Sequence, residues 1–440
     1  MLECIVTKFG GSSLANDEQF RKVRSILELE PARRYLVPSA PGKRFDGDEK
    51  VTDLLYRCHD LASQGKPFGG EFDKIRERYV DIARGLHLRT PVTEKLDEIE
   101  QGIASGKSRP WCASRGEYLC GLLMADYLGW KFVDPADGVV FRENGLMDDR
   151  KTQEKLSALL ADGQSAVVPG FYGAYENGEI CTFSRGGSDI TGALVSRAVN
   201  ADVYENWTDV SGFLMADPRI IDNPADISSI TYKELRELSH MGASVLHEDA
   251  MFPVHQAGIP TNIRNTNKPY HPGTMIMKNA PQEISVPTIT GIAGHKGYSV
   301  ISVEKSMMNS EVGFGRKVLQ VLEDAGIPFE HMPTGIDSLC VVASSELVAP
   351  RQEEIMQKIE ALVDGQGTVS ISDHMSIIAT VGRGMVHNCG TAARLFSAMS
   401  RARINVRMID QGSSELSIIV GVHDNDFEAT IRAIYHEFVG

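Results

Sequence analysis

Two glycine-rich strings, Lys8-Phe-Gly-Gly-Ser-Ser13 and Ser184-Arg-Gly-Gly-Ser-Asp189, constrain this chain more than any other feature of its sequence. Each sets paired glycines beside charged and hydroxyl side chains, so backbone amides can approach an anion while side chains meet its charge. The first string follows residues 2–7, a short apolar run that reads as a buried strand ending at Lys8. The second leads into Ile190, Ala193, Leu194 and Ala198 at helical spacing, which predicts a helix over Asp189–Asn200 whose N-terminus faces an anion. Leu36–Ala40, Ser165–Pro169 and Asp202–Glu205 read as further strands. Asp46–Leu88 reads as helical stretches interrupted by a loop at Gly65-Lys-Pro-Phe-Gly-Gly70. This alternation predicts an α/β fold through roughly residue 283, with an open, mainly parallel sheet sandwiched by helices and functional loops at the strand ends. Taken singly, either glycine string is more simply a plain tight turn, and it is the pair with the motifs that follow that shifts the balance.

The remaining third changes character and repeats itself, from Gly313 to Gly390, at a displacement of 77 residues. Val300–Val303 aligns with Ile377–Thr380, Ala325 and Ile327 with Ala402 and Ile404, and Cys340–Val342 with Ser417–Ile419. Each copy reads strand, glycine loop, helix, strand, turn, strand. Phe314, Val318, Leu322 and Ala325 form a stripe on the first helix, and Ala393, Phe396, Met399 and Ala402 form one on the second; both read as core faces. Two small α+β units of this kind expose sheet faces or edges, so pairing is expected.

A chain of 440 residues is too long for one growing core, and two or three domains are expected. The formal charge of -14 argues against a nonspecific nucleic-acid surface while leaving small anionic ligands open. Seven cysteines without a CxxC pair fit a reducing compartment rather than a disulfide framework. The start of the chain lacks the basic segment and long apolar core of a signal peptide, and no apolar run is long enough for a membrane span. A cytoplasmic location, with no membrane or nucleic-acid partner, is the expectation. His240, His247 and His255 lack a persuasive metal spacing, and Cys389 lacks a base partner.

The ordered set of Lys8–Ser13, Ser114-Arg-Gly-Glu117, Phe183–Asp189, Thr208-Asp-Val-Ser-Gly212 and Ala216-Asp-Pro-Arg219, followed by the duplicated tail, resembles the aspartate kinase family almost end to end. The resemblance implies an amino-acid-kinase domain over residues 1–283. It also implies tandem ACT domains of ferredoxin-like α+β fold over 284–366 and 367–440, with strands free to interleave. It implies transfer of phosphate from ATP, with Mg²⁺ bridging the phosphates and no dedicated protein metal cage, onto the side-chain carboxylate of L-aspartate.

By the same resemblance, Lys8 supplies the ammonium that stabilises the moving phosphoryl group, and Gly10, Gly11, Ser12 and Ser13 form the adjoining phosphate-facing loop. Asp189 stands at the family's catalytic aspartate and is expected to orient and polarise, because the substrate carboxylate is already ionised near neutral pH. Glu117 is placed near the substrate ammonium, Arg185 near its carboxylate, and Ser39, Thr52 and Ser188 in the substrate region. Thr52 fits helix capping equally well, and the bland alternatives are a helix-capping Asp189 and solvated Glu117 and Arg185. Thr208, Asp209 and Arg219 match the nucleotide strings. Two positions depart from the family pattern, Leu214 where tyrosine is frequent and Ser244 where lysine is frequent, which bears on base contact and phosphate neutralisation.

In the tail, Met308, Gly313, Phe314, Asp337 and Ser338 resemble the effector loop of lysine-responsive members, and threonine is the competing effector. Asp337 in a simple turn is the alternative. A homodimer or homotetramer paired through the ACT domains is implied by the family. A glutamate-directed kinase and a catalytically weakened amino-acid sensor are the competing functional readings.

Overall fold

The computed structural model describes residues 2–184, 186–242, 251–279 and 287–440, and over these the chain forms two compact units. The first holds residues 2–184 and 186–213 with Asp226–Tyr232 and 251–279; the second holds Leu214–Ala225, 233–242 and 287–440.

An eight-stranded sheet frames the first unit, in the order Ser229–Thr231, Thr274–Met277, Thr261–Asn265, Val203–Thr208, Ile5–Phe9, Arg33–Pro38, Ala166–Val167, Lys131–Phe132. Its pairs are parallel except for Thr261–Asn265 against Thr274–Met277. Ile5–Phe9 is buried along its whole length, as a central strand covered on both faces must be. From this strand the chain proceeds outward one way through Arg33–Pro38 and the other way through Val203–Thr208. That reversal makes the carboxyl ends of Ile5–Phe9 and Val203–Thr208 the place where open α/β sheets hold ligands.

Alternation along the strands then sorts the side chains. Phe9 and its register partner Trp207 stack with ring centroids 5.6 Å apart on one face, while the register partners Lys8 and Asn206 share the other. The Phe9 face joins a core with Phe20 and Val23 of helix Asp17–Glu28 and with apolar residues of Val51–Ser63, Gly69–Gly85, Val92–Ala104 and Arg109–Leu128. Asn16 starts the first of these helices by accepting the Gln19 N–H, a cap worth about 1 kcal/mol. Ser108 caps Arg109–Leu128, Pro110 sits in its first turn, and Gly129, at φ +67°, ends it.

Several expected boundaries move. The predicted loop at Gly65–Gly70 is shorter, because Gly69 and Gly70 form the first turn of Gly69–Gly85 and only 64–68 connect the helices. The predicted helix over Asp189–Asn200 is Gly187–Ala198, with Gly186 at φ +58° as its cap, so Asp189 lies inside the first turn and is not a capping residue. Thr52 likewise is not a cap, since Lys50 holds that position before Val51–Ser63.

In the second unit a five-stranded antiparallel sheet runs Ser338–Ser344, Gly291–Lys305, Gly367–Val381, Ser417–His423, Met408–Asp410. The two 15-residue strands are shared: Ser338–Ser344 pairs with the later half of Gly291–Lys305, and Ser417–His423 with the later half of Gly367–Val381. The repeat is geometric as well as sequential. Gly313 and Gly390 cap helices Phe314–Asp324 and Thr391–Arg401 at φ +83° and +86°, and Ala325 and Ala402 close them.

The stripe on the first helix is buried as expected. On the second helix the expectation holds for Met399 and the partly buried Phe396 and fails for the other two: Thr391, Leu395 and Ala398 join Met399 on the core face, while Ala393 and Ala402 are exposed. A strict three-residue step drifts off one face of a helix that turns every 3.6 residues. Each copy also ends in a helix absent from the reading, Gln352–Val363 and Phe427–Phe438, and in the first copy the middle strand is reduced to bridges at His331 and Thr334. All seven cysteines are free thiols. Among the described residues no helix is long and apolar enough to cross a membrane.

Candidate active site

Lys8 Nζ lies 2.7 Å from Asp189 Oδ1, and both side chains are largely withdrawn from solvent. Their meeting follows from topology: Lys8 is the fourth residue of Ile5–Phe9, and Asp189 projects from the first turn of Gly187–Ala198 onto the same sheet face. Asn206 Nδ2 donates to Asp189 Oδ1 at 2.7 Å, and Asn206 Oδ1 stands 3.5 Å from Lys8 Nζ. The Tyr204 hydroxyl donates to the Asp189 carbonyl at 3.2 Å.

Beyond Lys8 the chain enters Gly10–Ser13. The Gly10 N–H donates to the Trp207 carbonyl, and a Cβ on Gly10 would stand 3.8 Å from Lys8 Nζ. Ser13 Oγ is 2.7 Å from Thr266 Oγ1, which ties the loop to the end of Thr261–Asn265. Gly11 is pressed against the next loop: its carbonyl accepts the Gly42 N–H at 2.7 Å, and a Cβ on Gly42 would lie 2.6 Å from the Gly11 carbonyl carbon. The buried Arg78 fixes that second loop by donating to the Gly42 carbonyl and to Asp48, both at 2.7 Å. The Arg44 guanidinium beside Asp48, bonding to it, holds its carboxyl below the usual range. Gly42→Ala therefore cannot be accommodated without parting the two loops. We expect turnover to fall by about 100-fold, as for a misplacement of about 1 Å, with the circular dichroism of the fold retained; steady-state kinetics check this.

Ser39 and Glu117 belong to the same constellation. The Ser39 N–H donates to the Phe9 carbonyl, and the Ala40 methyl group would meet a Cβ on Gly116 at 2.8 Å. Glu117, 5% exposed, has no hydrogen-bond partner for Oε2 among the described residues. Burial pushes its carboxyl up to about 8, against the Ala40 amide and the Arg115 charge, which favour the ionised form. Ser188 packs on Gly170, whose N–H donates to the Pro38 carbonyl at the end of the neighbouring strand. Lys8, the Gly10–Ser13 loop, Ser39, Glu117, Ser188 and Asp189 thus converge on one end of the sheet.

The donor set suits a polyphosphate beside an amino acid. A buried ammonium and backbone amides lie beside Gly10, where the missing side chain keeps the approach to Lys8 open, and the unpaired Oε2 of the buried Glu117 carboxyl can meet a ligand ammonium. Among the described residues no group of three or more His, Cys, Asp or Glu is placed to hold a metal ion.

A profile of the amino acid kinase family matches residues 3–265, and an ACT domain profile matches 378–438. Aspartokinase 3 of Bacillus subtilis (strain 168) is 38% identical over 450 residues, which span 98% of each chain.

The chain belongs to the aspartokinase family.

The crystal structure of Clostridium acetobutylicum aspartate kinase is similar over the whole of both chains, with TM-score 0.92 and 48% identity. E. coli aspartokinase III in complex with lysine and aspartate shares the fold over the whole of both chains, with TM-score 0.74 at 22% identity. The architecture is accordingly the amino-acid-kinase α/β fold followed by ferredoxin-like ACT structure.

For this aspartokinase-family chain, the remaining sequence candidates fare unevenly. Thr208 Oγ1 bonds to Asp209 Oδ1 at 3.1 Å at the end of Val203–Thr208, and Asn265 Nδ2 braces the loop by donating to the Asp209 carbonyl and Ser211 Oγ. Leu214 and Arg219 are part of the second unit, where the exposed Arg219 pairs with Asp217 at 2.6 Å. Arg185, Ser244 and His247 lie outside the described residues. His255 packs on Tyr232, and His240 pairs with Glu330 at 2.8 Å.

Among the effector candidates, Met308 and Phe314 point into the core of their repeat, so only their backbones remain for a ligand. The Asp337 carboxylate accepts the Met307 N–H at 2.7 Å, and its carbonyl accepts the Lys305 N–H, an arrangement that also makes a turn. Ser338 begins the next strand, and Gly313 stands uncapped by any side chain.

Sequence reasoning passed over Gly42 and Thr266. Pro41-Gly42 was legible as a turn, yet its contact with Gly11 is a tertiary fact; the Thr266 partner lies 253 residues from Ser13.

Proposed function

We propose that this chain transfers the γ-phosphoryl group of ATP to the side-chain carboxylate of L-aspartate, giving 4-phospho-L-aspartate and ADP. The observation that carries the reading is the Lys8–Asp189 pair at 2.7 Å, set beside the Gly10–Ser13 loop where the strand order reverses. A carboxylate oxygen of the substrate forms the new bond to phosphorus as the bond from phosphorus to the ADP oxygen breaks, and ADP departs with the electron pair. No proton need be removed, since the attacking carboxylate is ionised near neutral pH. Lys8 stabilises the charge that spreads over the moving group, and the Gly11 and Ser12 amides orient the phosphates, since those of Gly10 and Ser13 already donate to the Trp207 and Gly10 carbonyls. Mg²⁺, entering with the nucleotide, supplies further charge neutralisation at the phosphate oxygens. Asp189 holds Lys8 in place. Thr208 and Asp209 face the nucleotide, with Leu214, Arg219 and Ser244 assigned there on family resemblance. Glu117 takes the substrate ammonium, Arg185 its α-carboxylate, and Ser39, Thr52 and Ser188 complete the substrate side.

Glu117 gives the reading a pH signature. Its carboxyl, raised to about 8, holds a proton in the free protein at neutral pH. A bound ammonium favours the ionised form, so aspartate binding at pH 6.5 should release close to one proton, and less as pH rises through about 8. Titration calorimetry in two buffers of different ionisation enthalpy measures this, and Glu117→Gln should abolish the release. For stability the sign is also fixed. The folded value lies above the unfolded one, so the contribution of Glu117 is greatest below the unfolded pKa and is lost as pH rises towards about 8.

The division into a kinase domain over 1–283 and ACT domains over 284–366 and 367–440 belongs to the same proposal, as do a cytoplasmic location and a homodimer or homotetramer through the ACT structure. The proposed feedback ligand is lysine, with its ammonium at Asp337, its carboxylate at amides near Gly313, and Met308, Phe314 and Ser338 shaping the loop. The test is ADP release from MgATP with L-aspartate, with L-glutamate, and with neither, followed by lysine and threonine as inhibitors. Turnover that follows glutamate, or that ignores the amino acid, contradicts the reading.

A further inference from the structure

We infer that Asn206 is a positioning residue for the phosphoryl transfer proposed above, fixing the Lys8 ammonium against the Asp189 carboxylate; the inference rests on that reading of the site. Asn206 is 1% exposed and sits directly beside Lys8 in the parallel register of Ile5–Phe9 with Val203–Thr208. Its Nδ2 donates to Asp189 Oδ1 at 2.7 Å while its Oδ1 faces Lys8 Nζ at 3.5 Å, and Lys8 Nζ itself lies 2.7 Å from the same Asp189 oxygen. The three groups form a closed triangle in which each end of one amide meets the charge it complements.

No other side chain of this size does both. Leucine offers neither a donor nor an acceptor, and an aspartate would accept from Lys8 but repel Asp189. Tyr204, two residues earlier on the same strand face, donates to the Asp189 carbonyl, so Val203–Thr208 grips the helix turn that carries Asp189 at both its backbone and its side chain. Counting donors gives the consequence. The Lys8 ammonium has three N–H groups; Asp189 and Asn206 engage two and thereby direct the third, which is the one left for a phosphoryl oxygen. Without Asn206, the flexible lysine stem is held at one point and the ammonium swings about it.

The test uses the full chain carrying Asn206→Leu or Asn206→Asp, each alone and combined with Lys8→Ala. Each single variant should lower kcat by about 10- to 100-fold while KM for aspartate moves by less than about threefold, because the group acts through Lys8 and not on substrate. In the Lys8→Ala background the same changes should alter the residual rate by less than about twofold, since the residue to be positioned is gone. Equal losses in both backgrounds would show a merely structural role and overturn the inference, as would kcat within twofold of the parent in the single variants. If Asn206→Leu fails to fold, the isosteric Asn206→Asp decides by the same cycle. A parent chain without aspartate-dependent turnover overturns both this inference and the proposed function; an active parent with unaffected variants overturns this inference alone.

Discussion

Lys8→Ala should lower turnover on the order of 10³-fold while leaving the fold intact, since a preorganised charge in a water-poor site is worth that much to a transition state. Lys8 is buried, its partner Asp189 is 2.7 Å away, and the glycine loop begins two residues on, so no neighbouring cation within the described contacts takes over its place. The fold survives because Asp189 keeps the Asn206 amide and some solvent contact, and because the apolar neighbours Val6 and Phe9 are untouched. Lys8→Arg should recover little, as a planar guanidinium directs its donors differently from a compact ammonium. Saturating ADP-release kinetics with a parallel thermal melt check this; kcat within tenfold of the parent would remove Lys8 from the centre of the chemistry.

The second large effect is on stability. Arg33 and Glu205 form a paired contact on the Phe9 face, Nε to Oε2 at 2.8 Å and Nη2 to Oε1 at 3.1 Å, with both side chains buried. Trp207 Nε1 donates to the same carboxylate, Arg264 approaches it at 3.4 Å, and both guanidinium groups stack over the Trp207 ring. Removing Arg33 strands a buried carboxylate with weaker partners. Arg33→Met should therefore cost about 3–5 kcal/mol, and Arg33→Met with Glu205→Leu should cost less, because the buried carboxylate is gone and Arg264 keeps the Pro269 and His271 carbonyls as acceptors. Urea unfolding followed by tryptophan fluorescence measures both. A single variant costing under about 1 kcal/mol, or a double variant worse than the single, would contradict the account.

Those two faces of one strand pair also show what the sequence could and could not reveal. Lys8 and Asp189 were legible because their two glycine strings stand in order with the other motifs, and the resemblance gave them roles. Asn206 lay one residue beyond the expected strand Asp202–Glu205, and its importance depends on a register with a strand 198 residues away. Glu117 was identified by its motif, but the burial that raises its carboxyl comes from loops and helices brought together only by folding. In the tail, the repeat survived as matched glycines at positive φ, whereas the stripe on the second helix held at Phe396 and Met399 and was misplaced at Ala393 and Ala402, because such small residues are equally at home inside and outside. The lending of half of each long strand to either repeat is a pairing choice that no local pattern records.

The most direct measurement is phosphorus NMR of the protein incubated with MgATP and L-aspartate. The account predicts an acyl phosphate resonance growing in step with ADP, dependent on aspartate and absent with the Lys8→Ala variant. ADP accompanied only by inorganic phosphate, with no acyl phosphate at any stage, would contradict transfer to the carboxylate.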